Sequence, residues 1–124
     1  MSPVNPQKIS IIIQNPNAEK NFQQIDVVGE IDRDSMQSFH DQMEGFLGTF
    51  NGTNIVFNLE KLEFINSEGI GYLSDVHNRF EVQNKHVFII NTSSRIIDIF
   101  QLVGLNQIIP CYSGLDELLK NLKS

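Results

Sequence analysis

The sequence predicts an α/β fold: a mixed, mostly parallel central sheet of about five strands, with about four helices largely on one face. Three observations carry that reading. From Gly29 onward, short apolar runs alternate with helical stripes, the pattern of parallel strands joined by right-handed crossovers. Before Gly29, two apolar runs follow one another across a turn, which makes them an antiparallel pair and the sheet mixed. Those first two runs alternate apolar and polar residues and can leave one side wet, whereas later runs such as Ile55-Val56-Phe57 are continuous and read as covered on both faces.

Residues 1–7 carry Pro3 and Pro6 and no periodicity, and read as a flexible tail before a single domain over 8–124. Lys8 to Gln14 reads as a strand through Ile9, Ile11 and Ile13, and Asn15-Pro16-Asn17-Ala18 as a turn. Phe22 to Val28 is a second strand, with Ile25 and Val27 alternating against Gln24 and Asp26; Gly29-Glu30-Ile31-Asp32 ends it. Asp34 or Ser35 caps a helix whose stripe is Met36, Phe39, Met43, Phe46, Leu47 and Phe50, closed by Asn51-Gly52 with a left-handed glycine.

Asn54 to Leu59 is a buried strand and Glu60 to Asn66 a connection. Ser67 to about Gln83 is a helix facing inward through Ile70, Leu73, Val76 and Phe80. After a turn at Asn84-Lys85 comes the strand His86 to Ile90. Thr92, Ser93 or Ser94 caps a third helix, with Ile96, Ile97, Phe100 and Val103 inward and Gly104 closing it. Gln107 to Cys111 is a short strand that Pro110 confines to an edge, and Ser113 caps a last helix built on Leu115, Leu118, Leu119 and Leu122.

Composition narrows the function. A chain of 124 residues with 40% hydrophobic and 19% charged residues is a soluble globular domain, and no apolar run approaches the roughly 18 residues that cross a bilayer, so no membrane insertion is expected. The amino terminus lacks a basic region followed by an apolar run, and a lone Cys111 fits a reducing compartment; the cytoplasm follows as the expectation. A net charge of -6 with scattered lysines argues against a nucleic-acid partner.

The sequence carries no catalytic or ligand motif of the familiar kinds. There is no GxxxxGK[ST] loop and no GxGxxG; Gly69-Ile70-Gly71 is only GxG, and its simplest reading is a close approach of a helical turn to the sheet. His40, His77 and His86 have no metal-ligand spacing, so no metal is expected. Ser67, Asp75 and His77 hold the letters of a triad, but Ser67 and His77 lie about 15 Å apart along one helix, against the roughly 3 Å a nucleophile and base require. Cys111 reads as a small core or edge residue. No enzyme activity and no cofactor are expected.

Ser67 stands where a helix begins, and a hydroxyl there has two readings. It caps the helix, or it accepts a phosphate, which would sit against the positive end of the helix dipole. Glu68 likewise reads as a first-turn acid suited to that dipole, and Asp32 as a solvated turn residue or cap.

The stretch Asn54-Ile55-Val56-Phe57-Asn58-Leu59-Glu60-Lys61-Leu62-Glu63-Phe64-Ile65-Asn66-Ser67-Glu68-Gly69-Ile70-Gly71-Tyr72-Leu73 resembles the signature of the STAS family, and within it that of bacterial anti-sigma factor antagonists, roughly L-x-F-[IM]-D-S-[ST]-G-L-G-x-L. Gly29-Glu30-Ile31-Asp32 resembles the family's G-E-[LI]-D. Ile99-Phe100-Gln101-Leu102-Val103-Gly104-Leu105 resembles its third-helix ending, and Ser113 to Leu119 its closing helix. The resemblance implies a STAS-like fold and a transcription-regulating, partner-switching role in bacterial signalling. It implies that an anti-sigma factor serine kinase, which itself binds ATP, phosphorylates Ser67, and that a serine phosphatase resets the cycle. It also implies a partner-binding face made of Glu30, Asp32, Asn66, Ser67, Glu68, Gly69 and Gly71. The family usually has Asp before the serine and Ser or Thr after it; here these are Asn66 and Glu68, and Glu68 sets a fixed negative charge beside the acceptor. The alternative is a STAS scaffold or interaction subunit of a signalling or lipid-transport complex, docking without phosphorylation.

Overall fold

The computed structural model describes residues 8–122; the expected tail over 1–7 lies outside them. The chain forms β1 (Ile9–Ile13), β2 (Gln23–Ile31), α1 (Met36–Leu47), β3 (Asn54–Asn58), β4 (Leu62–Ile65), α2 (Ser67–Val82), β5 (His86–Ile90), α3 (Ser94–Val103), a 3-10 turn (Leu105–Gln107), β6 (Cys111–Tyr112) and α4 (Leu115–Asn121). The sheet order is β1-β2-β3-β5-β6, with β4 also paired to β2. Only β1 and β2 are antiparallel, so the sheet is mixed and mostly parallel, with six strands and four helices among the described residues.

The helices divide three to one. Ile55 and Phe57 of β3 and Val87 and Ile89 of β5 pack in one apolar cluster with Phe39 and Met43 of α1, Leu73 and Val76 of α2, and Ile96 and Phe100 of α3. Val56 and Ile90 point the other way and meet Leu118 of α4, with Leu115, Leu119 and Tyr112 around them. This two-residue alternation is why the continuous runs in β3 and β5 are apolar throughout: both of their faces are covered. The first strand is less enclosed than its alternation suggests, since Ile9 is buried but Ile12 and Ile13 are about half exposed.

Four local expectations are corrected. The stretch Glu60–Asn66 is not merely a connection, because it contains β4. The nine-residue β2 is long enough for two partners on one side: Gln23–Asp26 pair with β3, and Gly29–Ile31 pair with β4. A four-residue strand with two exposed central residues carries too little pattern to register in sequence. The expected strand Gln107–Cys111 is instead the end of a 3-10 turn and a loop through Pro110, and the edge strand proper is Cys111–Tyr112. Helix α1 stops at Leu47 with Gly48 in a right-handed conformation, so Asn51-Gly52 does not close it. Phe50 still reaches the core from the loop, stacking on Phe80 at 5.7 Å between ring centroids. Ser113 does not cap α4; Gly114 holds that position, and the Ser113 N–H donates to the Glu117 carboxylate at 2.7 Å. Other terminators agree: Gly104 adopts φ 81 at the end of α3, and Asn84 adopts φ 59 before β5.

One glycine sets the geometry at the end of β2. Gly29 has φ 117, and a Cβ there would lie 1.9 Å from the Lys8 carbonyl oxygen. The register between β2 and β4 shifts at this residue. The bulge turns the end of β2 away from β3 and toward β4, and it brings Glu30, Ile31 and Asp32 to the same edge as Asn66 and Ser67.

Candidate functional site: the corner between two strand ends and α2

Strands β2 and β4 end side by side, and α2 starts from the corner they make. The Asn66 N–H donates to the Ile31 carbonyl at 2.9 Å, fastening the start of the helix to the end of β2. Asn66 has extended backbone angles, and its Oδ1 accepts the Gly69 N–H at 2.9 Å, so Asn66 is the N-cap. This corrects the capping reading of Ser67, which is the first helical residue. Asn serves as well as Asp in that task, so the departure at position 66 leaves the cap intact. Released from capping, Ser67 is exposed at the positive end of a sixteen-residue helix. Glu68 is exposed beside it in the first turn.

The two glycines of this turn differ. Gly69 is buried, and a Cβ on it would come within 2.8 Å of both Ile31 Cγ2 and Ile65 Cγ1. Its small size lets α2 lie against β2 and β4. Gly71 is exposed, and a Cβ there would meet nothing within 4 Å. It lies one turn on from Ser67, on the same face of the helix.

Asp32 organises the other side of the corner. Its Oδ1 accepts the N–H groups of Asp34 and Ser35, each at 3.0 Å. Buried Ser35 accepts the Asp32 N–H at 2.9 Å and donates to the Glu30 carbonyl at 2.6 Å. Ser35 precedes α1 as its N-cap but makes no side-chain capping bond, because its hydroxyl is spent on this turn. The other carboxylate oxygen, Oδ2, holds the ammonium of Lys8, which also lies 3.9 Å from Asp34. The Lys8 bond, and after it the backbone and hydroxyl of Ser35, bring the Asp32 carboxyl down to about 2. Lys8 was not among the expected site residues, since a lone lysine before a strand carries no motif; only the strand pairing aims it at Asp32. Glu30 is half-buried, opposite Phe64 in the β2–β4 ladder. Phe64 is 42% exposed, an apolar side chain left at the surface beside the corner.

A second polar cluster fixes α2 against α1. The Tyr72 hydroxyl donates to Glu44, and Arg79 donates to both oxygens of the same carboxylate at 3.2 and 2.7 Å. Arg79 first, and then Tyr72, bring Glu44 down to about 2, while burial and the Glu44 carboxylate push the Tyr72 hydroxyl up. The Asp75 carboxylate lies 3.6 Å from Arg79, so it belongs to this cluster, while Ser67 stands at the helix start. His77 is half-buried with a buried Nδ1 that has no hydrogen-bond partner among the described residues. Cys111 is pushed up to about 11 by burial, the opposite of what a reactive thiol needs. Among the described residues, no group of three His, Cys, Asp or Glu side chains could hold a metal ion, and no helix is long and apolar enough to cross a membrane.

The corner therefore gathers Glu30, Asp32, Asn66, Ser67, Glu68 and Gly71 around one strand-to-helix junction, with Gly69 beneath them. It offers an exposed hydroxyl at a helix N-terminus and a set of acids.

Known proteins place this arrangement in a family. The family model of the STAS domain matches residues 14–118. A search of curated protein sequences found no significant match. Among solved structures, an anti-sigma factor antagonist from Mycobacterium paratuberculosis is similar with a TM-score of 0.76 at 19% identity, over 97% of this chain and 98% of that one. The Bacillus cell fate determinant SpoIIAA in its phosphorylated form is similar with a TM-score of 0.62 at 20% identity, over 92% of this chain and all of that one. A murine solute carrier 26 family anion transporter is similar with a TM-score of 0.71 at 10% identity, over 82% of this chain and 18% of that one. These likenesses to solved structures establish a shared fold, and the family match covers the corner and every strand of the sheet except β1. The chain belongs to the STAS domain family.

Proposed function

We propose that this protein is an anti-sigma factor antagonist. In this reading it binds an anti-sigma factor serine kinase in a cytoplasmic partner-switching pathway that regulates transcription, under control of reversible phosphorylation of Ser67. The kinase brings the ATP and a serine phosphatase resets the cycle; the chain itself contributes no catalysis and needs no cofactor. The observation that carries the reading is the freedom of Ser67, whose capping task is taken by Asn66, leaving an exposed hydroxyl where a helix dipole favours a phosphate. Relatives of this fold support it, since one is an anti-sigma factor antagonist and another has been solved in a phosphorylated form.

The physics suffices for a switch. A phosphate adds about -1.5 to -2 charges and three strong acceptors. The helix terminus tolerates that charge within the protein, while Glu30, Asp32 and Glu68 already make the corner acidic, so a partner fitted to the unmodified corner meets repulsion. A loss of about 3 kcal/mol lowers affinity roughly a hundredfold without refolding.

A second reading is favoured by Glu68, whose fixed charge adjoins the acceptor. The domain then docks constitutively as a scaffold or interaction subunit of a signalling or lipid-transport complex. Intact mass of the purified chain, before and after incubation with ATP and the kinase captured from the native host, separates the two. A gain of one phosphate, lost in Ser67→Ala, supports the switch. Binding that persists while Ser67 stays unmodified removes the switch and leaves the scaffold.

A further inference from the structure

The Lys8–Asp32 pair stands next to the corner, and its placement gives the lysine a task there. The end of β2 is flanked on both sides: the Glu30 N–H donates to the Lys8 carbonyl at 2.7 Å, and the Asn66 N–H donates to the Ile31 carbonyl at 2.9 Å. Asp32 follows immediately, and the Lys8 ammonium is held on its carboxylate at the end of β2. With neighbouring strands about 4.8 Å apart, the Lys8 backbone and the start of α2 are separated by about two strand spacings, a gap the lysine stem has to span, because salt screens exposed charges held farther apart than about 8 Å. The charged groups around this junction are Glu30 on β2, Asp32, Arg33 and Asp34 in the turn, Glu63 on β4 and Glu68 on α2, with Arg95 of α3 across the groove from Glu30. Acids outnumber bases there, and Lys8 is the cation already drawn to the strand end.

We propose that Lys8 is the counter-cation of the Ser67 phosphate: anchored on Asp32 in the unmodified chain, it moves to the phosphate once Ser67 is modified, leaving Asp32 without its lysine. This rests on the reading of Ser67 as a phosphoacceptor. The exchange is favoured because a phosphate carries more charge and more acceptor oxygens than a carboxylate. The existing pair is exposed, with 45% of the Lys8 side chain and 24% of the Asp32 side chain open to solvent, so little but the bond itself holds it. Lysine is a compact charge on a flexible stem, suited to changing partners. Asp32 keeps its bonds to the N–H groups of Asp34 and Ser35, so its carboxylate remains in place when the lysine leaves. One modification thus changes the charge of the partner-facing corner at two points, Ser67 and Asp32.

The test needs no kinase. Phosphoserine is introduced genetically at position 67 of the full chain, and its phosphorus resonance is followed against pH. In Lys8→Gln the second phosphate pKa, near 6 for an ordinary phosphoserine, is expected to rise by roughly 0.3 unit or more, and Lys8→Arg is expected to restore the parent value. In the phosphorylated parent, the Asp32 carboxyl carbon is expected to titrate closer to an ordinary carboxylate than in the unmodified chain. An identical phosphate pKa in parent and Lys8→Gln overturns the proposal, as does a rise produced by Arg33→Gln or Arg95→Gln in place of Lys8→Gln. Amide spectra of each variant confirm that the fold is retained. A host kinase that fails to label Ser67 would count against the phosphorylation cycle and leave this titration unaffected, so the two failures are distinct.

Discussion

Helices α2 and α3 begin alike and differ in what surrounds their first turn. Each has a capped N-terminus followed by an exposed serine: Asn66 accepts from Gly69 at 2.9 Å ahead of Ser67, and Ser93 accepts from Ile96 at 3.3 Å ahead of Ser94. An exposed serine just after a helix cap is therefore not enough to mark a switch, since the described residues hold two. One turn on, the face of Ser67 continues to Gly71, where the surface is open, whereas the face of Ser94 continues to exposed Asp98. Ser94 and Arg95 border a groove whose other wall carries Glu30, Glu60 and Glu63. Ser67 instead adjoins the end of β2, with Asp32 and Lys8. An exposed helical glycine costs about 1 kcal/mol relative to alanine, and no contact within this fold calls for one at Gly71.

The comparison is broken most directly by placing the same charge at both serines. Ser67→Asp is expected to weaken capture of the kinase at least tenfold, while Ser94→Asp changes it less than twofold; calorimetry showing equal losses would assign the two helix starts the same role. Next come the glycines. Gly69→Ala forces a methyl into Ile31 and Ile65 and is expected to lower unfolding stability by about 1–3 kcal/mol in denaturant titration. Gly71→Ala is expected to raise stability by about 0.5–1 kcal/mol while weakening the partner, an opposed pair of signs that a purely structural role for Gly71 would not produce.

The caps sharpen the contrast by a smaller amount. Asn66→Ala is expected to cost about 1 kcal/mol, and Ser93→Ala less, because its bond is longer; thermal melts of the two variants rank them. The smallest effect concerns pH and the clamp that holds α2 to α1. Glu44 titrates at about 2 in the folded chain against an ordinary 4.5, so its contribution is complete above about 4.5 and fades as pH falls toward 2. The melting temperature of Glu44→Gln should lie below the parent by a constant margin at neutral pH, and the margin should close across that acid window. A margin independent of pH would remove the ion pair as its cause.

Much of this was legible because apolar periodicity reports burial directly. The stripes Phe39-Met43-Phe46 and Leu73-Val76-Phe80, and the doubly covered runs of β3 and β5, are buried as their spacing requires. The Gly104 terminator, the Ser93 cap and the antiparallel opening pair also follow from local chemistry. Strand β4 did not, because Leu62 to Ile65 forms a strand only through the free half of β2, a partner more than thirty residues earlier in the chain. The ends of α1 and α4 were misplaced for a related reason. Phe50 and Ser113 fit the local helical pattern, but Phe50 is held by Phe80, and the Ser113 N–H is held by Glu117 from outside the helix start.

By itself the sequence determined the class of the fold, the order of nearly all its elements, and the corner at Ser67, since periodicity, turn residues and short motifs are local properties of the chain. Tertiary structure decided the roles within that corner. It gave the cap to Asn66 and the surface to Ser67, made Gly69 a packing residue and Gly71 an open one, and joined Lys8 to Asp32. The physical reason is that each of these assignments depends on a contact or an open space created by strand pairing across β2, and residues close neither in sequence nor in pattern meet only when the sheet forms.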